Sequence, residues 1–232
     1  TGSFRHNALF IGPSTRTAIN EGRADYTPIF LSEIPLLMER GSMPIDVAFI
    51  SVSPPDMNGY VSLGISVDIT KTAAETADYV VAEVNPNMPR TLGDSFLHVS
   101  EIDAFVENDM PLLEFVQKAP SDIAKAIGEH IADLIENEST LQTGVGRIPN
   151  AVLPFLMNKR DLGIHTEMLV DSSVDLYEAG KISGKNKNIY KYKMTYTFAL
   201  GSKRLYDFIH HNPTCASYPV NYVNDPRIIA LN

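Results

Sequence analysis

The sequence predicts an α/β protein with mainly parallel sheets, organised as two related open domains. Three observations predict it. Short apolar or β-branched runs alternate along the chain with helix-length segments, the pattern of parallel strands covered by helices. A stretch bracketed by proline, Pro111 to Pro120, breaks that rhythm near the middle, and a well-signalled helix begins just after it. The length of 232 residues, 44% of them apolar, supplies the core of one large or two modest domains. The boundary is placed so that residues 1–115 form the first domain and residues 116–232 the second.

In the first domain, Asp46 to Ser53 (DVAFISVS) reads as a buried strand stopped by Pro54 and Pro55. The Asn58-Gly59 pair favours a tight turn into a second apolar run, Tyr60 to Val67. Asp68 is suited to cap a helix over Ile69 to Ala77, and Tyr79 to Val84 (YVVAEV) is a further strand. It leads into Asn85 to Asp94, a loop of Asn, Pro and Gly; loops at strand C-termini are where open α/β proteins bind ligands.

In the second domain, Ser121 is an N-cap, and Ile123, Ile127, Ile131, Leu134 and Ile135 recur at helical spacing. Thr140 to Thr143, a glycine turn at Gly144 and Gly146, and a helical stretch from Ile148 to Met157 then read as strand, turn and helix. The same rhythm continues with a strand over Gly163 to Leu169, a helix over Ser172 to Ala179 and a lysine-rich polar loop over Lys181 to Lys193. A strand over Lys193 to Leu200 and a helix over Lys203 to His211 follow. The lysine-rich loop reads as a solvated connection. Thr1 is not a methionine, and Tyr218 to Asn232 ends mid-pattern without a polar tail. The chain therefore reads as an internal fragment with its second domain truncated.

Composition excludes several functions. With 19 basic and 28 acidic side chains the formal net charge is −9, and no clustered cationic patch suited to nucleic acid or an anionic membrane stands out. No apolar run approaches the roughly 20 residues that span a bilayer, and no signal-peptide order opens the chain, so a cytoplasmic protein is expected. One cysteine, Cys215, cannot form an internal disulfide or a multi-thiolate metal site. His98, His130, His210 and His211 lack partners at metal-ligand spacing, and no metal is expected. There is no GxSxG elbow, no GK[ST] of a P-loop, and only part of a dinucleotide-binding glycine fingerprint, which disfavours a nucleotide-binding oxidoreductase.

Three features invite a chemical reading. Gly144-Val145-Gly146-Arg147-Ile148 is a glycine turn between strand and helix, where free N–H groups can hold an anion or a developing oxyanion; a plain turn is the alternative. Gly163 to Leu169 is a strand-like run holding an imidazole and a carboxylate. Alternation puts His165 and Glu167 on one face and Thr166 on the other. A glutamate there is costly unless solvated or paired, and the alternative is that it meets water at the strand end. Tyr222 to Pro226 is a polar turn containing Asn224, and on its own it reads as no more than a turn.

Read together, SPPDMNGY (Ser53 to Tyr60), AEVNPNMPRTLGDSFLHVSEID (Ala82 to Asp103), LQTGVGRIPNAVL (Leu141 to Leu153), LGIHTEM (Leu162 to Met168) and KRLYDF (Lys203 to Phe208) resemble the acetyl-CoA hydrolase/transferase family. Within it the chain looks most like the 4-hydroxybutyrate CoA-transferases, with the butyryl-CoA:acetate CoA-transferases next. The resemblance runs the length of the chain and implies a CoA-transferase fold with the site in a cleft between two α/β domains. It implies that Glu167 is the catalytic glutamate and that Gly144, Val145, Gly146, Arg147 and Ile148 line the coenzyme A site. It implies that Asn224 polarises the thioester carbonyl.

The expected reaction moves CoA between an acyl-CoA and a free short-chain carboxylate through a glutamyl-CoA thioester. The acyl-CoA would be acetyl-, butyryl- or 4-hydroxybutyryl-CoA. Coenzyme A enters as substrate, with no permanently bound cofactor, and a homodimer is expected. An acyl-CoA hydrolase using the same glutamate and a silent CoA-binding module are the competing readings. The family's later glycine-rich loop, of the type GVGGQVDF, has no counterpart here, so this stretch alone is expected to be inactive. Val170-Asp171-Ser172 stands where relatives carry a Ser-Asp-Gly run, which puts the loop shape beyond Glu167 in question. For His165, orienting Glu167 or the incoming carboxylate competes with a packing role.

Overall fold

The computed structural model describes residues 4–115, 119–144 and 146–232. Val145 and residues 116–118 of the Pro111–Pro120 boundary lie outside the described residues. The elements run β1 (Asn7–Ala8), α1 (Pro13–Asn20), β2 (Asp25–Tyr26), α2 (Ile34–Glu39), β3 (Val47–Val52), β4 (Tyr60–Ser62), α3 (Thr70–Thr76), β5 (Tyr79–Val84), β6 (Phe96–His98) and β7 (Ala104–Glu107). They continue with α4 (Asp122–Leu134), β8 (Thr140–Leu141), α5 (Arg147–Val152), β9 (Gly163–Leu169), α6 (Asp171–Glu178), β10 (Met194–Ala199), α7 (Lys203–Ile209), β11 (Cys215–Ser217), α8 (Val220–Val223) and α9 (Pro226–Ile229).

Two parallel sheets organise the chain, one in order β3-β5-β7 and one in order β11-β10-β9-β8. The expected α/β class with mainly parallel sheets is therefore observed; the β4–β6 pair is antiparallel. Each sheet has its own core. Ile50, Val52, Val61, Leu63, Val67 and Leu97 pack in the first, and Leu153, Leu156, Leu162, Ile164, Met168, Leu176, Tyr196 and Leu205 in the second.

Ser121 caps α4 by accepting from the Ala124 N–H at 3.3 Å, as its position before an amphipathic run requires. Asp68 accepts from the N–H groups of Ile69 and Thr70, one orphan-donor cluster satisfied at the start of α3. Asp171 opens α6 and holds the Ser202 N–H (2.9 Å) and hydroxyl (2.5 Å) ahead of α7. That contact fixes the chain beyond Glu167, where the family's Ser-Asp-Gly run is replaced.

The apolar run Tyr60 to Val67 is not one strand. Only Tyr60–Ser62 pairs, with β6. From Leu63 the chain turns toward the second sheet, where the Ala199 N–H donates to Ile65 O (2.8 Å) and the Val67 N–H to Thr197 O (3.1 Å). β11 is too short to cover the outer edge of β10 past Tyr196, so the segment around Ser66 takes that place, antiparallel to Phe198.

The Asn85–Asp94 loop closes a second contact between the halves. Gly93 runs parallel to Ser217 with φ +109°, and a Cβ there would sit 2.3 Å from Ser217 O; only glycine has both the conformation and the room. The lysine-rich loop also departs from its reading. Lys187 is 1% exposed, and its ammonium donates to Ile164 O and Lys193 O at 2.8 Å and meets Thr195 Oγ1 at 3.0 Å. No carboxylate pairs with it among the described residues, and burial lowers its pKa to about 7.

Candidate active site

β9 is a central strand of its sheet, flanked by β8 and β10, and its side chains alternate as expected. On one face Thr166 is fully buried. Its hydroxyl donates to Thr143 O (3.0 Å), and its oxygen accepts the Thr143 N–H (2.9 Å). Thr143 precedes Gly144, so this face of β9 anchors the start of the glycine turn. The turn then reaches Gly146, whose φ of +132° is a glycine-only conformation, and enters α5. Gly144 has no such need, since a Cβ there would make only ordinary contact with Pro149. Gly144, Gly146, Arg147 and Ile148 are all exposed. Beside them an apolar cavity of about 210 Å³ opens between α4 and α5, bounded by Ile131, Ile135, Leu141, Val152 and Leu156.

The other face carries His165 and Glu167. Glu167 is partly exposed, and one carboxylate oxygen, Oε2, accepts from Asn224 Nδ2 at 2.5 Å. Because a carboxylate only accepts, this contact fixes which end of the Asn224 amide faces it. The opposite end, Asn224 Oδ1, is buried and has no hydrogen-bond partner among the described residues. An acceptor in that state is one that a bound donor would satisfy.

Asn224 ends α8, a single turn lying over β9 and β10. His165, 3% exposed, pins that turn, since its Nε2 lies 2.9 Å from Val223 O. A carbonyl accepts, so Nε2 carries the proton. Nδ1 is left to accept from Asn232 Nδ2 at 3.2 Å. Burial holds the imidazole below its ordinary pKa, against the raising effect of the Val223 carbonyl, and Lys187 adds a further lowering. Of the two readings of His165, the structure supports the second: it holds the backbone beside Asn224 rather than touching Glu167. Tyr190, Tyr218 and Tyr222 cluster around the same turn, with ring centroids 4.9–5.8 Å apart. Their positions carry no sequence periodicity and were not foreseen.

The structure thus brings two of the candidate residues, Glu167 and Asn224, into direct contact, although 57 positions separate them. The glycine turn adjoins the same strand through Thr166 and Thr143. Among the described residues no group of three metal-ligating side chains occurs, and no helix is long and apolar enough to cross a membrane. The Asn85–Asp94 loop, a ligand-binding candidate by its position, packs against the second half, with the Arg90 N–H donating to His210 Nδ1 at 3.0 Å, and its Pro86 to Pro89 line a cavity there with Leu112, Lys203 and Tyr206.

Parallel sheets with a gripped carboxylate on a central strand define an α/β protein with a carboxylate-centred site. The acetyl-CoA hydrolase/transferase N-terminal domain matches residues 2–117, and the corresponding C-terminal domain matches residues 201–232. The chain belongs to the acetyl-CoA hydrolase/transferase family. It is 55% identical over 229 residues to the 4-hydroxybutyrate coenzyme A transferase of Clostridium kluyveri, covering 99% of this chain and 53% of that protein. It is 42% identical to the butyryl-CoA:acetate CoA-transferase of Anaerostipes caccae, covering 96% of this chain and 51% of that one. The crystal structure of a 4-hydroxybutyrate CoA-transferase from Porphyromonas gingivalis superposes with a TM-score of 0.84 at 40% identity, over 97% of this chain and 59% of that one. The chain spans about half the length of the curated relatives it matches.

Proposed function

We propose that this chain carries the catalytic carboxylate of a CoA-transferase that exchanges CoA between an acyl-CoA and a short-chain carboxylate. The observation that carries the reading is the Glu167–Asn224 contact at 2.5 Å on a central parallel strand. The names of the relatives, transferases acting on 4-hydroxybutyrate and on butyryl-CoA with acetate, support the substrate class.

In the proposed mechanism a Glu167 oxygen attacks the thioester carbonyl, forming a mixed anhydride and expelling CoA thiolate. The thiolate attacks the glutamyl carbonyl, the bond to the bridging oxygen breaks, and the first carboxylate leaves behind a glutamyl-CoA thioester. A second carboxylate attacks that thioester and reverses both steps. Anhydride and thioester are both activated acyl species, so a carboxylate nucleophile conserves the thioester's free energy. Asn224 keeps one N–H on Glu167; its second N–H is the donor for the thioester carbonyl, and its unpaired Oδ1 awaits a ligand N–H. On this reading the backbone N–H groups of Gly144 and Gly146 are the further oxyanion donors, and Arg147 and Ile148, exposed at the start of α5, are the contacts for the coenzyme.

The test is to incubate the full-length protein with butyryl-CoA, reduce with borohydride, digest, and examine the peptide containing Glu167 by mass spectrometry. A reduced adduct at Glu167 that vanishes in Glu167→Gln is the expected result. Turnover without any adduct overturns the mechanism. Acid release that does not depend on added acetate turns the assignment to a hydrolase.

A further inference from the structure

One buried hydroxyl next to Glu167 has no structural employment. The β9–β10 ladder keeps a constant offset, with Tyr196 opposite Thr166 and Phe198 opposite Met168. Thr197 is therefore the neighbour of Glu167 on the adjoining strand, on the same face. Thr197 is 0% exposed, and its Oγ1 makes no hydrogen bond among the described residues. Thr195, one step back on that face, engages its hydroxyl with Lys187. The Thr197 backbone is also held, its carbonyl accepting from the Val67 and Asp68 N–H groups. A valine would fill the same β-branched shape in a buried strand without leaving a polar atom unpaired. On the other side, Glu167 Oε2 is taken by Asn224, and no donor among the described residues reaches Oε1.

We infer that Thr197 is a further catalytic residue, its hydroxyl donating to the oxygen that remains on the Glu167 carbonyl carbon when that carbon is acylated. The inference rests on the glutamyl-thioester reading above. When thiolate adds to the glutamyl anhydride, the glutamyl carbonyl oxygen becomes an oxyanion. When the carboxylate product leaves, it returns to a thioester carbonyl. Asn224 serves the carboxylate from the α8 side, whereas Thr197 lies on the sheet itself, sealed from water, where a fixed donor acts most strongly on developing charge. No proton is transferred in this role. Thr197 Oγ1 makes no hydrogen bond with the resting carboxylate, so the hydrogen bond forms only when acylation reorients the Glu167 carboxyl group and brings its remaining oxygen toward β10.

The experiment compares Thr197→Val and Thr197→Ser in the full-length protein, with borohydride trapping as a control on each. Thr197→Val is expected to lower kcat by about 10- to 100-fold with KM changed less than about threefold, and Thr197→Ser to recover most of the loss. Infrared difference spectra with a 13C-labelled glutamyl thioester should place the carbonyl stretch at higher wavenumber in Thr197→Val than in Thr197→Ser or the unmodified protein. Wild-type kcat and an unshifted carbonyl in Thr197→Val overturn the inference and leave the glutamyl route standing. Equal losses in both variants with an unshifted carbonyl show a packing role only, which also overturns it. If the unmodified protein turns over without a trapped adduct, the glutamyl route fails and Thr197 fails with it.

Discussion

The two parallel sheets are built from similar run lengths, yet they treat polar residues in opposite ways. In β3-β5-β7 one face is core and the other is open: Ala48, Ile50, Val52, Val80 and Ala82 are buried, while Phe49 is 80% exposed and Val47, Tyr79 and Val106 are exposed with it. In the β8–β11 sheet, β9 and β10 are buried on both faces. Buried parallel strands normally read as continuous apolar runs, but GIHTEML and MTYTFA carry His165, Thr166, Glu167, Thr195 and Thr197. Each of the first four has work to do there. His165 holds Val223, Thr166 holds Thr143, Glu167 meets Asn224, and Thr195 meets Lys187. The contrast teaches that a polar side chain inside a sealed sheet marks a site or its support, whereas an apolar one on an open face marks neither.

The sharpest break of that contrast is Glu167→Gln, expected to lower turnover by about 10⁴-fold or more with little change in melting temperature, read by steady-state kinetics alongside calorimetry. Asn224→Ala should cost about 10²- to 10³-fold in kcat, the scale of losing one preorganised donor. A kcat within twofold of the unmodified protein would remove Asn224 from the mechanism. Thr166→Val leaves the Thr143 N–H without its acceptor and should cost about 1–3 kcal/mol in urea unfolding.

Lys187→Met tests the sheet through pH. The folded-state pKa near 7 lies below the ordinary value of 10.5, so between those values the unfolded chain holds a proton that the folded one lacks. Stability therefore rises with pH across that window. Urea midpoints at pH 7 and pH 9 should show this rise in the unmodified protein and a flatter response in Lys187→Met. The smallest effect belongs to the open face, where Phe49→Ser should alter stability by less than about 0.5 kcal/mol.

Legibility followed the same division. Strands β3, β5, β9 and β10 and helices α3, α4, α6 and α7 were readable because alternation or a capped stripe is a local signal. β6, β7 and β11 were missed; they are 3 or 4 residues long and owe their pairing to partners distant in sequence. The apolar run Tyr60 to Val67 gave no local sign of where it divides, because the segment from Leu63 on takes its partners from β10, far along the chain. At the site, Glu167 and His165 shared a face by period two alone, but the roles of Glu167 and Asn224 came only from the family resemblance. Nothing local joins Asn224 to Glu167, and nothing in a lysine-rich loop singles out Lys187 as its buried member. The idle hydroxyl of Thr197 is invisible until the neighbours of β10 are known.

The line where Ile65 to Asp68 runs along β10 and Gly93 along Ser217 is made of main-chain hydrogen bonds, which side-chain substitution cannot readily erase. The junction between the two halves is thus a weld, whereas a side-chain contact would be a latch. Amides of Val67, Ala199 and Ser217 should exchange with solvent deuterium together, at the rate at which the whole seam parts. A mutation at Gly93 would strain β11, which pairs with β10, and β10 both lies beside Glu167 and carries the rest of the seam.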